Sequence, residues 1–310
     1  MQIKTTYGAF TYGILRHLGC RRVWLSAWLV FLSSEIPYMY LICFDLDGTL
    51  LNNASEISRF TYDTLQLLSE KDIAFTIATG RTMLSAQRAV AGHKFVLPQI
   101  YNNGVTIWDP NTQQLTLENI LEQTEINTIL ELALRQGISP FVHVIAQHQH
   151  VVFHAETQHD VEKRLVEKYF SDTPQQLLPL HALAPEHQVT NISMIGEAAT
   201  IHAMWLKLNT YPNLIAYSGP AIEGPQYRWM DVHHYQANKG KAVAQLKKQL
   251  GASKVICFGD GDNDLSMFAC ADESYAPANA IDEIKQVASA VIGHHHEDGV
   301  AHFLRERFSL

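Results

Sequence analysis

The sequence predicts an α/β protein in which a parallel sheet, covered by helices on both faces, is interrupted by a second α/β domain. After the first 38 residues, short apolar runs alternate with helical stripes, and this alternation favours βαβ units. In the middle of the chain the strand-like runs alternate polar and apolar residues, and the first pattern then returns. We therefore expect a core formed by residues 39–114 and 225–310, with an inserted domain at 115–224.

The core segments contain strands and helices in turn. In the first segment we expect strands at Tyr40–Phe44, Ala74–Thr79 and Gln99–Tyr101, helices around Ile57–Leu68 and Thr82–Ala91, and a turn at Asn102–Gly104. In the second we expect strands at Tyr227–His233, Lys254–Phe258 and Ala290–Ile292, and helices at Lys239–Leu250, Asp264–Ala271, Ala280–Ala288 and Val300–Phe308. Strands that are apolar throughout are typical of a parallel sheet buried on both faces.

The inserted domain has a different texture. Its predicted helices lie near Thr124–Gln136, Val161–Tyr169 and Thr200–Asn209, and its predicted strands are Phe141–Ala146, His150–His154, Thr190–Gly196 and Leu214–Ser218. Alternating strands suit a sheet with one open face. His148, His150 and His154 share one strand parity, so they either face the active site or form a polar outer surface.

Composition and charge narrow the class of protein. The chain has 310 residues, 47% of them apolar and 17% charged, which is typical of a folded globular protein. A formal net charge of −8 disfavours unaided binding to nucleic acid or to anionic membranes. The four cysteines form no C-x-x-C pair, so neither a zinc site nor a disulfide framework is expected. These features favour a cytoplasmic protein.

The first 38 residues have an ambiguous character. Arginines precede the apolar run Val23–Leu32, which resembles a targeting segment but is too short to span a bilayer comfortably. Three interpretations stay open: a dispensable extension translated from an upstream start, a membrane-associating segment, or a helix packed on the domain. Because the first strand begins directly after Met39, we expect the folded domain to begin there, and the first 38 residues do not decide where the protein is located.

Two carboxylates follow the first strand directly. Asp45 and Asp47 are separated by one residue, and Gly48 permits a sharp turn after them. In open parallel sheets, ligands bind at the carboxyl ends of the strands, so motifs that follow different strands can meet there. An ordinary Asp-Gly turn with side-chain capping is the structural alternative.

Anion-binding groups follow in two other places. Thr79, Gly80 and Arg81 end the second strand, where a hydroxyl can donate to a phosphate oxygen and a guanidinium can bind an oxyanion with two donors. Lys239 stands at a helix start, where the helix dipole disfavours a cation, and this misfit indicates that the ammonium serves an anion. The alternatives are an ordinary strand–turn–helix and a solvated lysine, and Lys241 is the more ordinary of the two lysines.

An acidic cluster follows the apolar strand Lys254–Phe258. Asp260, Asp262 and Asp264 lie within five residues, so they repel one another unless a cation is present. Oxygen ligands suit Mg²⁺, whereas a calcium loop would need a glycine at Leu265. Phosphoryl transfer needs carboxylates to hold Mg²⁺, a further carboxylate as nucleophile, donors for the oxyanion and a positive charge. The sequence offers all of these groups.

These stretches, in this order, resemble the haloacid dehalogenase superfamily of phosphohydrolases. The chain reads D-L-D-G-T from Asp45, T-G-R from Thr79, N-N-G from Asn102, N-K-G-K-A from Asn238, G-D-x-x-N-D from Gly259 and, late in the sequence, E-D-G-V-A-H-F-L from Glu297. The complete set resembles the Cof-like branch (subfamily IIB). The resemblance implies a Rossmann-like core and a large α/β cap domain between the second and third motifs, where residues 115–224 lie.

The resemblance also implies catalytic roles. Asp45 would attack phosphorus and become the aspartyl-phosphate. Asp47 would protonate the leaving oxygen and then activate water. Thr79 would bind the phosphoryl group, and Lys239 would neutralise charge on it and on Asp45.

The metal and substrate contacts are implied in the same way. Mg²⁺ would be held by Asp45, the backbone carbonyl of Asp47, Asp260 and Asp264. The substrate would be contacted by Gly48, Gly80, Arg81 and Asn263. The sequence departs from the family pattern before Asn279. Pro277 stands where the branch usually has a small, glycine-containing stretch, so no role is assigned to Asn279.

The resemblance implies a small phosphorylated metabolite as substrate, of the sugar phosphate, pyridoxal phosphate or flavin mononucleotide type. Two alternatives stay open: a phosphomutase or phosphotransferase acting on sugar phosphates, and a non-catalytic sensor of a phosphorylated ligand. Asp47 favours catalysis, because binding alone would not require it. The run His294–His296 is either a metal-binding tract or a solvated loop.

Overall fold

The computed structural model describes residues 40–146, 149–171 and 176–310. The predicted N-terminal extension at residues 1–38 and the cap histidine His148 lie outside the described residues. The described strands, in chain order, are β1 (Tyr40–Phe44), β2 (Ala74–Ile77), β3 (Gln99–Tyr101), β4 (Thr106–Asp109), β5 (Gln114–Leu117), β6 (Phe141–Ala146), β7 (Gln149–His154), β8 (Leu177–Pro179), β9 (Gln188–Glu197), β10 (Leu214–Pro220), β11 (Tyr227–His234), β12 (Lys254–Phe258), β13 (Glu273–Pro277) and β14 (Ala290–Ile292).

The helices complete the description. They are α1 (Arg59–Glu70), α2 (Met83–Val90), α3 (Gln123–Arg135), α4 (Asp160–Phe170), α5 (Ala198–Leu208), α6 (Lys239–Leu250), α7 (Leu265–Cys270), α8 (Asp282–Val287) and α9 (Gly299–Phe308). Among the helices of the described residues, none combines the length and the apolar character that crossing a bilayer demands.

Five parallel strands form the core sheet, in the order β14-β13-β12-β1-β2. β1 and β12 are its central pair, aligned from Tyr40 opposite Lys254 to Phe44 opposite Phe258. Apolar side chains from α1, α2 and α9 cover one face, and those from α6, α7 and α8 cover the other. Burial on both faces explains why these strands are apolar throughout, and the predicted α/β fold class is confirmed.

A six-stranded sheet forms the inserted region, in the order β10-β11-β9-β6-β7-β8. Its pairs are antiparallel except β7 and β8. Helices α3 and α5 cover one face with apolar side chains, whereas the opposite face carries polar side chains and contacts the core. Asn102 of the core, for example, donates to Asn191 of the cap at 3.3 Å. We call this sheet and its helices the cap.

The structure corrects one strand assignment. The strand that we expected to reopen the core, Tyr227–His233, is β11, and it pairs between β9 and β10 in the cap sheet. The strand joins the cap sheet because its apolar and polar residues alternate. Met230 and Val232 lie in the apolar core of the cap, while Asp231 and His233 project from the other face. We therefore propose that the cap extends to about His234.

The third predicted strand also has different partners. A single parallel bridge ties β3 to the core sheet, between Ile100 and Ala78, the residue directly after β2. The main partner of β3 is β4, which pairs with β5 in an antiparallel hairpin that the sequence analysis did not predict. The hairpin extends to Leu117. Residues 115–117, which we expected to begin the inserted domain, therefore pair with β4 and not with the cap sheet.

Candidate active site

The turn after β1 brings two aspartate-bearing loops together. The backbone N–H of Asp45 donates to the Phe258 carbonyl at 2.9 Å, which extends the β1–β12 pairing by one residue. Gly48 has a left-handed φ of +67°, and a Cβ there would lie 2.2 Å from Asp260 Oδ2. Glycine is therefore required twice, for the backbone conformation and for the approach of Asp260. Thr49 Oγ1 also donates to Asp260, at 3.4 Å.

Lys239 connects the two loops from the start of α6. Its side chain is fully buried, and Nζ donates to Asp45 Oδ1 at 2.7 Å and to Asp264 Oδ1 at 2.6 Å. Burial lowers the pKa of Lys239, but the two carboxylates outweigh it and the net pKa is raised. Lys239 is therefore positively charged. This agrees with the expectation that its ammonium serves an anion.

The acidic cluster supplies more negative charge than Lys239 neutralises. Asp45, Asp260 and Asp264 each offer a carboxylate oxygen, and these oxygens lie within 4.8 Å of one another. Burial is the main cause that raises the pKa of Asp45 well above its usual value and that of Asp260 to about 7, and neighbouring carboxylates add to both shifts. Asp264 is held in place because its Oδ2 accepts from the N–H groups of Asp260 and Gly261, at 2.8 and 3.0 Å.

This cluster fits a hard divalent cation. When all three carboxylates are ionised, one ammonium leaves two negative charges uncompensated, and oxygen is the donor that Mg²⁺ prefers. Asp262, which the sequence analysis counted in the cluster, is absent from this group of three among the described residues. The Asp47 carboxylate is also absent from it, because that carboxylate turns toward Arg81.

Arg81 holds Asp47 by two hydrogen bonds. Nε donates to Asp47 Oδ2 at 2.6 Å and Nη2 to Oδ1 at 2.5 Å, while Nη1 donates to the Ser85 carbonyl. The Arg81 guanidinium was expected to contact the substrate. In the structure its Nε and Nη2 instead donate to Asp47, the expected general acid and base. Thr79, buried beside them, accepts from the Arg81 backbone N–H at 3.1 Å through Oγ1.

The remaining predicted contacts converge beside Gly80. Asn263 Nδ2 donates to Asn103 Oδ1 at 3.0 Å, and a Cβ on Gly80 would lie 3.3 Å from both of these atoms. Asn102 and Asn103 are buried with positive φ, a conformation that asparagine tolerates better than most residues. Asn-Asn-Gly was expected as a turn and as one motif of the resemblance, but this pattern did not indicate that the two asparagine side chains contact the site.

Asn279 supports the turn after β1. Its Nδ2 donates to the Gly48 carbonyl at 2.7 Å, and its Oδ1 accepts from the N–H of His295 at 3.2 Å. His294, His295 and His296 place ring nitrogens within 4.8 Å of one another, and His295 Nδ1 bonds the Leu51 carbonyl at 2.7 Å. The three rings are half-buried or exposed, as a partly solvated loop requires.

Comparison with known proteins identifies the class to which this fold and site belong. The family of haloacid dehalogenase-like hydrolases matches residues 42–304, so the chain belongs to that family, and the resemblance drawn from the motifs is confirmed. It is therefore an enzyme of the hydrolase class, as predicted. A relative from Bacillus subtilis, the 5-amino-6-(5-phospho-D-ribitylamino)uracil phosphatase YitU, is 27% identical over 288 residues, which cover 87% of this chain and 98% of that protein.

Solved structures agree on the fold. A haloacid dehalogenase-like hydrolase from Bacteroides thetaiotaomicron superposes with a TM-score of 0.70 at 23% identity, covering 87% of this chain and 99% of that chain. The subclass IIB sugar phosphatase BT4131 superposes with a TM-score of 0.69 at 20% identity, with the same coverage of 87% and 99%. At these identities the likeness establishes the architecture.

Proposed function

We propose that this enzyme is a Mg²⁺-dependent phosphatase that hydrolyses small phosphorylated metabolites through an aspartyl-phosphate on Asp45. The observation that carries the proposal is the position of Lys239, whose ammonium joins the buried Asp45 to the buried Asp264 inside a cluster that the half-buried Asp260 completes. A nucleophilic carboxylate beside a fixed cation is suited to phosphoryl transfer, in which catalysis is mostly positioning and charge neutralisation.

In the first step, an oxygen of Asp45 attacks phosphorus and the bond from phosphorus to the ester oxygen breaks. The leaving oxygen takes a proton from Asp47, which can carry that proton once one of its two oxygens is released from Arg81, so the alcohol departs neutral. Lys239 keeps a positive charge beside the attacking carboxylate, and we assign Thr79 and Asn263 to donating hydrogen bonds to the phosphoryl oxygens.

In the second step, Asp47 takes a proton from water, whose oxygen attacks phosphorus and releases the Asp45 carboxylate with inorganic phosphate. Dividing hydrolysis between two displacements avoids one difficult step. The bidentate pair with Arg81 fixes the Asp47 carboxylate at the mouth of the site, where its side chain is 56% exposed. We assign Arg81 to positioning Asp47.

The donor set supports Mg²⁺ as the cofactor. Asp45, Asp260 and Asp264 would hold it, together with the backbone carbonyl of Asp47. When bound, Mg²⁺ neutralises charge on the phosphoryl oxygens and lets an anionic nucleophile approach an anionic substrate. The excess negative charge of the cluster is the property of this chain that fits the ion.

The proposed partner is a small phosphorylated metabolite, and no nucleic acid or membrane partner is proposed. A cytoplasmic location remains a prediction, which the free thiols of Cys43, Cys257 and Cys270 support because disulfides are rare in reducing compartments.

Phosphate release from p-nitrophenyl phosphate and a panel of small esters tests the proposal, with Mg²⁺ and with EDTA. Asp45→Asn keeps the shape of the side chain and removes its nucleophilic charge, so we expect turnover to fall by about a thousandfold or more. Asp160→Asn, an exposed carboxylate on α4, is the matched control and should behave as wild type.

Two results would oppose the proposal. One is undiminished, metal-dependent turnover by Asp45→Asn, which would exclude that carboxylate as the nucleophile. The other is a folded wild type that releases no phosphate from any ester. Transfer of the phosphoryl group to an added sugar in that case would favour a phosphotransferase, and binding without transfer would favour a sensor.

A further inference from the structure

Three consecutive histidines form a nitrogen-rich cluster between β14 and α9. One ring nitrogen from each of His294, His295 and His296 lies within 4.8 Å of the other two. From the sequence alone this run was either a metal-binding tract or a solvated loop, and the proposed phosphatase chemistry uses none of the three rings. We call these residues the histidine cluster.

The backbone that carries the histidine cluster is closed on itself. The N–H of Gly299 donates to the His294 carbonyl at 3.1 Å, and a Cβ on Gly299 would lie 2.0 Å from the Gly293 carbonyl oxygen. Asp298 anchors the end of the turn, because its Oδ1 accepts from Thr61 Oγ1 at 3.0 Å. The rings therefore project from a fixed turn, which reduces the ordering that binding a ligand would cost.

His295 is oriented by a bond to the backbone of the core. Its Nδ1 lies 2.7 Å from the Leu51 carbonyl oxygen. Because a carbonyl can only accept, Nδ1 carries the proton, and Nε2 of the neutral ring keeps its lone pair. Metal-binding histidines usually donate their other ring N–H to a carbonyl or a carboxylate in this way, which fixes the tautomer and the ring. His295 is thus prepared to bind a metal through Nε2.

His294 and His296 direct ring nitrogens at each other. His294 Nδ1 accepts from the backbone N–H of His296 at 3.5 Å, and it also shares a hydrogen bond with His296 Nδ1. Two imidazole lone pairs cannot bond each other, so one proton lies between these two nitrogens. A metal ion that takes the place of that proton would be bound by both rings.

Glu297 provides an acceptor for the proton that a metal would displace. Its Oε1 lies 4.0 Å from His296 Nε2, the ring nitrogen that does not face His294. When a metal occupies Nδ1 of His296, the proton passes to Nε2, so the ring stays neutral and its N–H faces the carboxylate. A carboxylate behind a ligating histidine makes the ligand more basic and offsets part of the charge of the ion.

The donor atoms select the class of metal ion. Three imidazoles suit a late first-row divalent ion such as Zn²⁺, whereas Mg²⁺ prefers oxygen. A tetrahedral zinc shell places its nitrogens about 3.4 Å apart, so small rotations of rings that already lie within 4.8 Å would complete three positions. The ring of His296 is exposed, which lets water take the fourth position.

We propose that the histidine cluster binds Zn²⁺ through Nδ1 of His294, Nδ1 of His296 and Nε2 of His295. The bound ion stabilises the turn against the core, because His295 bonds Leu51 through its ring and Asn279 through its backbone N–H. The inference does not rest on the proposed phosphatase function, since the cluster contains none of the residues assigned to catalysis.

Calorimetric titration with Zn²⁺ in excess Mg²⁺ tests the site, and we expect one Zn²⁺ per chain. His296→Gln removes a ligand at an exposed position, where folding should be unaffected, and should weaken Zn²⁺ binding at least tenfold. His202→Gln serves as the control, because His202 is exposed on the outer helix α5 and stacks on Trp205. It should bind Zn²⁺ as the wild type does. Equal affinity in His296→Gln and wild type, or no binding by the wild type, would overturn the proposal.

Asp260→Asn separates the histidine cluster from the carboxylate cluster. The substitution changes one of the three carboxylates expected to hold Mg²⁺ and leaves the histidines intact, so Zn²⁺ should bind this variant as tightly as the wild type. A loss of Zn²⁺ binding in Asp260→Asn that His296→Gln does not show would place the ion among the carboxylates and refute the proposal.

Stability and nitrogen NMR give readouts that do not depend on activity. Zn²⁺ should raise the urea midpoint of unfolding of the wild type and of His202→Gln, because the folded state alone presents the assembled site, and it should leave that of His296→Gln unchanged. NMR should show Zn²⁺-dependent shifts at Nδ1 of His294 and His296 and at Nε2 of His295. Shifts confined to other histidines, or a stabilisation that His296→Gln retains, would contradict the assignment.

Discussion

At the scale of single residues, Lys239 joins carboxylates that follow two different strands. Asp45 follows β1 and Asp264 lies beyond β12, and the ammonium lies within 2.7 Å of an oxygen of each. Removing one partner of a buried ion pair is far more damaging than removing a surface pair, because the remaining charge stays buried without compensation.

Lys239→Met should therefore destabilise the protein by about 3–5 kcal/mol in EDTA and abolish turnover. The loss should be smaller in Mg²⁺, since a divalent ion in the cluster replaces part of the missing positive charge. Urea unfolding with and without Mg²⁺ measures both effects.

Lys241→Met is the matched control, because Lys241 is two residues away on the same helix and exposed. Its cost should stay within about 0.5 kcal/mol. Equal losses in the two variants, or a loss at Lys239 that Mg²⁺ leaves unaltered, would argue against the charge balance described for the cluster.

The residues around the nucleophile were predictable to different degrees. The sequence around Lys239 alone indicated a lysine that serves an anion, and only the family resemblance implied that it neutralises charge on Asp45. The contact of Arg81 with Asp47 could not be predicted, since a guanidinium suits a carboxylate and a phosphate equally. Asn103 was also missed, because a side chain in a tight turn gives no signal of its direction.

At the scale of elements, α6 and α7 approach closely enough to fix Lys239 at the site. Gly240 follows Lys239, and a Cβ there would lie 2.1 Å from the Ser266 backbone oxygen. The N–H of Gly240 also donates to Ser266 Oγ at 3.1 Å. Glycine is therefore needed for the contact between the helices, even though it is a poor helix former.

Gly240→Ala should destabilise the fold by about 1–3 kcal/mol, because the added methyl group overpacks a backbone contact. Helix propensity alone predicts that Gly240→Ala raises the free energy of unfolding by about 1 kcal/mol. The sign of the measured change therefore decides between overpacking and propensity. Urea unfolding gives that sign, and kcat should fall as well, because α6 carries Lys239.

Lys241→Ala provides the comparison, since it adds alanine one position further along the same helix at an exposed site. It should leave unfolding and kcat close to wild-type values. A Gly240→Ala protein that is more stable than wild type would show that the two helices separate without penalty.

The elements themselves were predictable where burial is uniform. Strands β1 and β12 are apolar on both faces, so their sequences identify a parallel core. Strand β11 was assigned to the wrong sheet because chain order placed it after the inserted region, although its alternation of Met230 and Val232 with Asp231 and His233 indicates a sheet with one apolar face. The β4–β5 hairpin was missed because its strands have four residues each.

At the scale of the whole molecule, the polar face of one sheet lies over the carboxyl ends of another. The core holds the groups that the proposed chemistry requires, and the cap contacts the same loops through Asn191 and His233. The sequence located both regions, because their strand patterns differ. It did not reveal which cap residues meet the core, since contacts such as Asn102 with Asn191 depend on the orientation of the cap sheet.

The most direct test of the central claim is to trap the phosphoryl group on the protein. Wild-type enzyme turning over a radiolabelled phosphate ester with Mg²⁺ is quenched in acid, digested and mapped. An aspartyl-phosphate on Asp45 should give label on the peptide that contains Asp45, release of that label by hydroxylamine, and no label on Asp45→Asn. Turnover without protein-bound label in the wild type, together with full activity in Asp45→Asn, would contradict it.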